Sequence, residues 1–253
     1  MSCNIERFRN EEQVIKETWG KPIIEGDPDV SIYFYRGGCN MNVVNDKTHE
    51  ILLSCGDGLD NTFEKTIKAF LGINRKDYDY VIRTNTTTYL NIPLLKQVIE
   101  QLDNTAQFYG GRLVSNRKSE YVPFFRGCFM MFPKSLVTEL LEVVPKYGVK
   151  GVDDIDIAKI LCNERRKDGN LKEYIELLRE APGIEKISET DFLEKVKTAY
   201  YIRAKENKTG ENHVAIFKVL HELLSGLNCE YEVTMPHKVT KVETIKGIIN
   251  LNI

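Results

Sequence analysis

The chain has 253 residues, of which 42% are hydrophobic and 28% charged, with a formal net charge of −2. That is enough apolar material for one sizeable domain, or one domain with an appended C-terminal flank, and the near-neutral balance gives no electrostatic case for nucleic acid as a partner. No run approaches the roughly 18 apolar residues of a membrane span, the opening MSCNIERFRNEEQ lacks the apolar stretch of a signal peptide, and the six cysteines form no CxxC pair.

In chain order, NEEQVIKETWG predicts a helix with Asn10 as cap and Gly20 as stop. DVSIYFYRGG predicts a strand closed by glycines, and EILLSCGDG a second. LDNTFEKTIKAFLG predicts a helix in which Asn61 and Glu64 have capping-box spacing and Phe63, Ile67, Phe70 and Leu71 share a face. DYDYVIR is a third strand, followed by a helix over 91–102. QFYGG and YVPFFRGCFMMF add strand-like segments, and PKSLVTELLEVV a helix with Pro133 in its first turn. DDIDIAKILCNERR is a helix opening on acids, which suits a helix N-terminus. NLKEYIELLRE, the strand-like TAYYIRAK, a helix over about 211–225 stopped by Gly226, and CEYEVTM complete the chain. This rhythm predicts an α/β fold with a mixed, mostly parallel sheet flanked by helices. The stretch from about 165 to 253 reads as a flank or lid of that single domain.

Ligands of open α/β sheets bind beyond the carboxyl ends of the strands. Three polar clusters are expected at such ends: Asp57 with Asp60, Arg83 to Thr88, and Asp153 to Asp156. Each also has a plain structural explanation, as turn residues, as a β-favouring threonine run, or as helix caps.

The order of these clusters resembles the β-1,3-galactosyltransferase and Fringe group of glycosyltransferases, which have the GT-A fold. VIKETWGK is similar to that group's Ile-Arg-x-Thr-Trp-Gly opening. DGLDNTFEKTIKAF is similar to its Asp-x-Tyr-x-Asn-Leu-Thr-x-Lys-Thr stretch, through Asp57, Asn61, Thr62, Lys65 and Thr66. YDYVIRTNTTTYLNIPLL lies over the segment with the metal motif Lys-Thr-Asp-Asp-Asp. EYVPFFRGCFMMFPKSLV and VDDIDIAKIL are similar to two later blocks. The matched blocks span roughly residues 10 to 165.

The resemblance implies a Rossmann-like GT-A sheet and places the three metal-binding acids on Asn85, Thr86 and Thr87. Those residues offer neutral oxygens, whereas a hard cation prefers anionic ones, so no metal site is expected there. Manganese or magnesium remains an alternative through Asp154 and Asp156 of VDDID, and no other cofactor is implied. The resemblance makes Asp154 the base that deprotonates the acceptor hydroxyl, with Asp153 as its close alternative. Asp57, Lys65, Arg83, Thr84, Asn85, Thr86 and Thr87 would line the donor. Arg203 and Lys205, on alternate residues of a strand, would replace the cation against the diphosphate. Arg112 and Arg126 are further cationic candidates. Tyr121, Phe125, Arg126 and Gly127 would face the acceptor, although core packing explains the phenylalanine equally well. His213 reads as a surface or capping residue that could also lie near the donor phosphates, and Trp19 as a core anchor.

The function expected is transfer of a sugar from a nucleotide-sugar donor to a hydroxyl of a glycan or lipid-linked glycan, with inversion and without a metal. The alternatives are a non-catalytic sugar-nucleotide-binding module and, further off, a nucleotidyltransferase. The expected location is the cytoplasm, including peripheral work at a membrane surface. The donor nucleotide and sugar, the acceptor, the linkage and the oligomeric state have no signature in these residues.

Overall fold

The computed structural model describes residues 5–100, 102, 109–114, 124–148, 151–167, 196, 199–203, 211–225, 239–244 and 247–252. The architecture is mixed α/β with small sheets. The chain divides into two compact units: the first is Met1–Asn4, Tyr33–Asn85 and Gln101–Leu178, the second Ile5–Ile32, Thr86–Glu100 and Arg179–Ile253. The stretch read as a C-terminal flank therefore falls mostly in the second unit, together with the N-terminal helix and the segment after Asn85.

In the first unit, β1 (Phe34–Arg36) pairs in parallel with β3 (Glu50–Leu52), and β2 (Val43–Asn45) pairs antiparallel on the other side of β3. All three residues of β1 are buried, as befits a strand covered on both faces. A second sheet has β7 (Phe124–Pro133) at its centre, antiparallel to β4 (Tyr80–Thr84) and to β6 (Gly110–Val114). Among the described ladders only β1–β3 is parallel, which corrects the expectation of a mostly parallel sheet. The physical reason is connectivity. Consecutive β6 and β7 are joined by a short segment, and parallel neighbours need a crossover of a dozen residues or more.

Helices α3 (Thr62–Ile73), α5 (Lys134–Val143) and α6 (Asp153–Lys167) supply the rest of this unit's core. Phe63 and Phe70 of α3, Phe132 of β7, Leu136 of α5 and Ile157 of α6 belong to one buried cluster. Leu71, expected on the apolar face of α3, is 61% exposed, and Lys65 and Thr66 are buried instead. Asn61 makes no capping bond, and its amide lies against Gly56, where a methyl group would come within 2.3 Å of Oδ1. Pro133 stands at the N-cap of α5 rather than inside its first turn.

In the second unit, α1 (Glu6–Glu17) begins before Asn10, with an acid in its first turn, so Asn10 is interior to the helix. Two more helices, α2 (Lys21–Ile24) and α4 (Ile92–Glu100), belong to this unit, and β5 (Thr88–Leu90) pairs antiparallel with β8 (Tyr201–Arg203). The last helix, α7 (Glu211–Ser225), packs on α1, and Phe217 meets Tyr89 edge-to-face at 5.7 Å. β9 (Val239–Thr244) and β10 (Gly247–Asn252) form an antiparallel hairpin. No helix among the described residues is long and apolar enough to cross a membrane.

Candidate active site

The first unit brings Arg83, Asp153, Asp154 and Gly127 together where β4, β7 and α6 meet. Arg83 sits on β4 opposite Met130 of β7, and its guanidinium is buried in an ion pair with Asp153 Oδ2. The same Asp153 oxygen accepts the Thr66 hydroxyl at 2.8 Å. Thr66 Oγ1 in turn lies 2.9 Å from Tyr35 Oη. One buried polar chain thus runs from β1 through α3 to the first residue of α6 and ends on β4. Burial works against the Arg83 charge, but the Asp153 carboxylate and Tyr35 outweigh it and hold the guanidinium protonated. Burial holds the Tyr35 phenol above its ordinary value despite the nearby guanidinium, so it stays neutral.

Asp154, the next residue, has a different setting. It is half-buried, its Oδ2 accepts the backbone N–H of Gly127 at 3.0 Å, and its Oδ1 accepts the N–H of Ile155 at 2.9 Å. Burial raises its proton affinity above the ordinary carboxylate value. The Gly127 N–H opposes that rise, Asp153 adds to it and Arg83 opposes it again. Of the two candidate bases, Asp153 is tied to a guanidinium and a hydroxyl, and Asp154 keeps a partly open carboxylate with raised proton affinity.

Asp57 and Lys65 form a second buried link. Lys65 Nζ donates to the Asp57 carbonyl at 3.1 Å and to Oδ1 at 3.3 Å, and the same carboxylate oxygen accepts the Gly37 N–H at 2.9 Å. The close approach explains Gly37, where a methyl group would meet the Gly56 carbonyl oxygen at 2.4 Å. This link ties the segments leaving β1 and β3 to α3. The Thr84 hydroxyl donates to the Cys128 carbonyl at 2.7 Å, fixing the end of β4 to β7.

The remaining candidates divide between the two units. Asn85 closes the first unit, while Thr86, Thr87 and Arg203 belong to the second. Thr86 donates its hydroxyl to the fully buried carboxylate of Glu11. Arg203 is half-buried and pairs in register with Thr88. Phe125 is 0% exposed and stacks edge-to-face on Tyr109 at 4.6 Å. Its ring is core, which corrects its assignment to the acceptor. Arg126 is half-buried on β7, and Arg112 lies on β6. Lys205 and Tyr121 lie outside the described residues. His213 falls on α7, and Trp19 is buried as expected.

The residues at the end of β4 do not suit a divalent cation. Their side-chain oxygens are neutral, and the hydroxyls of Thr84 and Thr86 are engaged with Cys128 and Glu11. Asp156 has partners of its own. It takes Lys159 Nζ at 3.2 Å and lies against Gly151, where a methyl group would be 1.9 Å from Oδ2. Among the described residues, no three His, Cys, Asp or Glu side chains come together in a way that could hold a metal ion.

Two features had weak sequence signals. Glu11 stands three, four and seven residues before Val14, Ile15 and Thr18, which marks it as part of the buried stripe of α1. The second unit also carries a half-open pocket of about 620 Å³ lined by Trp19, Ile23, Tyr89, Pro93, Lys96 and His221 among others. There Tyr89 Oη lies 3.2 Å from His221 Nδ1, and Lys96 pairs with Asp27 and Asp29 at 2.8 Å each. Burial lowers the His221 proton affinity, so the ring is neutral near pH 7. Nothing in the local sequence around His221 signals a pocket.

No family model matches the chain, and no curated protein matches it.

Proposed function

We propose that the chain is a GT-A-type glycosyltransferase that moves a sugar from a nucleotide-sugar donor to a hydroxyl of a glycan or lipid-linked glycan, with inversion. Asp154 carries the reading. It is a carboxylate at the start of a helix, half-buried and held by a backbone N–H, with its proton affinity raised toward the range in which a base works well. In the proposed step Asp154 takes the acceptor hydroxyl proton as that oxygen attacks the anomeric carbon. The bond to the nucleoside diphosphate breaks on the opposite face, and its electron pair leaves with the phosphate oxygen. The chemistry needs one base and no protein nucleophile.

The donor's diphosphate requires positive charge. With Arg83 committed to Asp153, the described cation of the first unit that suits this role is Arg126, half-buried on β7. Guanidinium forks match phosphate oxygens in pairs. No step in this scheme passes through a metal ion, in keeping with the neutral oxygens at the end of β4.

Calorimetric titration with UDP, GDP, CDP and dTDP, first in EDTA and then with manganese, tests the reading. Tight binding of one nucleotide in EDTA is the expected result. Binding only with manganese would overturn the metal-free scheme, and no binding in either buffer would overturn the donor class and favour a module with no transferase role.

A further inference from the structure

Gly127 has two neighbours at its α-carbon. A methyl group there would lie 2.9 Å from Arg83 Nη1 and 3.4 Å from Asp154 Oδ2. Both groups therefore sit over the same glycine. They are brought within the ~6 Å over which an opposite charge favours an ionised carboxylate. The glycine's own N–H binds that same Asp154 oxygen at 3.0 Å.

We infer that Arg83 and Gly127 are positioning residues for Asp154: Gly127 leaves the room, beside the N–H that holds the carboxylate, for a buried guanidinium that Asp153 keeps in place. The inference rests on Asp154 being the base of the proposed reaction, and it gives the paired acids separate tasks. Asp153 anchors Arg83, with Thr66 fixing its other side, and Asp154 faces the chemistry. Among the described residues, the charged groups that reach Asp154 are Arg83 from β4 and Asp153 from its own helix. From α3 and β1 the same polar chain presents the hydroxyls of Thr66 and Tyr35, the latter held neutral by burial. The two charges act in opposite senses, Arg83 favouring ionised Asp154 and Asp153 opposing it. Such an arrangement lets a half-buried base give up its proton without being opened to water.

The test is a carbon-13 NMR titration of the Asp154 side-chain carboxyl in the whole chain, its signal assigned by its absence from Asp154→Asn. Gly127→Ala, whose methyl would stand 2.9 Å from Arg83 Nη1 and push the guanidinium aside while only touching Asp154 Oδ2, is expected to raise the Asp154 midpoint by about one pH unit. Asp153→Asn removes the like charge and leaves Arg83 to Asp154, so the midpoint falls. The double variant Arg83→Gln with Asp153→Asn contains no unpaired buried charge, and its midpoint is expected above that of Asp153→Asn alone. A merely structural role would loosen the site in every variant and move all the midpoints down together, toward the ordinary carboxylate value. That outcome, or midpoints that do not move, would overturn the inference. These midpoints are read without donor or acceptor, so a failed transferase reading leaves them standing, and unmoved midpoints leave that reading to calorimetry.

Discussion

Thr86 donates its hydroxyl to the carboxylate of Glu11, which is 0% exposed. Position 86 is where the resemblance places a metal-binding acid, and an acid there would face another acid in the core of the second unit. The hydroxyl at the strand end is thus matched by a carboxyl group that the helix already supplies.

Thr86→Asp is therefore expected to fail as a restored metal ligand and to destabilise the second unit by about 3 kcal/mol, because two carboxylates would share one dry site. One of them would take up a proton more readily than in the unfolded chain. The penalty is then absent below the unfolded value of ~3.9 and grows as pH rises above it. Thermal melts from pH 4 to pH 8, followed by the fluorescence of Trp19, measure it. Thr86→Ser keeps the hydroxyl and should change little. A Thr86→Asp protein as stable at pH 8 as the parent would show that Glu11 is not held against this position.

Asp57 and Lys65 offer an asymmetric prediction. The Lys65 side chain is 2% exposed and that of Asp57 20%. Removing the acid with Asp57→Ala leaves a buried ammonium beside the backbone carbonyl of position 57 without its carboxylate, and removes the carboxylate that accepts the Gly37 N–H. That is expected to destabilise the first unit by about 3–5 kcal/mol. Lys65→Met leaves a carboxylate that still reaches water, for a loss of about 1–2 kcal/mol. The lone Trp19 lies in the second unit, so amide hydrogen exchange in α3 is the suitable probe. Equal losses, or the reverse order, would contradict the link as described.

The contrast between these residues and the rest of the site shows what a sequence can carry. The start of α6 at Asp153, the strand at Tyr80–Thr84 and the helix ending at Ser225 were legible because each has a local signal: acids at a helix start, an apolar strand run, a closing glycine. The pairing of Arg83 with Asp153 was not, because a guanidinium becomes a core group only when a carboxylate distant in the chain arrives to neutralise it. The division after Asn85 escaped for a similar reason. Strand periodicity continues smoothly through the threonines, and only long-range packing assigns Thr86 to the second unit. The strand β2, three residues long, carries too short a pattern to be read.

Phe125 separates packing from recognition. Its ring is fully buried against Tyr109, and its Cβ lies 2.9 Å from where a methyl group on Gly111 would stand. Phe125→Ala is expected to destabilise the first unit by about 3–5 kcal/mol through lost burial and the void left behind. Urea unfolding monitored by hydrogen exchange in β7 measures this. A loss below about 1 kcal/mol would place the ring at the surface, where only ligand contact could explain it.

Asp154→Asn separates stability from activity. The amide oxygen can still accept the Gly127 N–H, while the half-buried charge is gone. A carboxylate whose folded proton affinity lies above its unfolded value stabilises the fold below ~3.9 and loses that contribution as pH rises through the folded value. The asparagine variant has no such dependence, so its stability relative to the parent should increase with pH, reaching a gain of about 0.5–2 kcal/mol near pH 8. Sugar transfer should fall by about 10²–10⁴-fold, the usual contribution of a positioned base. The parent's rate should decline as acid protonates Asp154, at a pH above that of an ordinary aspartate. Two observations would count against Asp154 as the base: a variant that keeps its turnover, and one whose relative stability declines toward alkaline pH. The second would also show that Asp154 is retained for the fold.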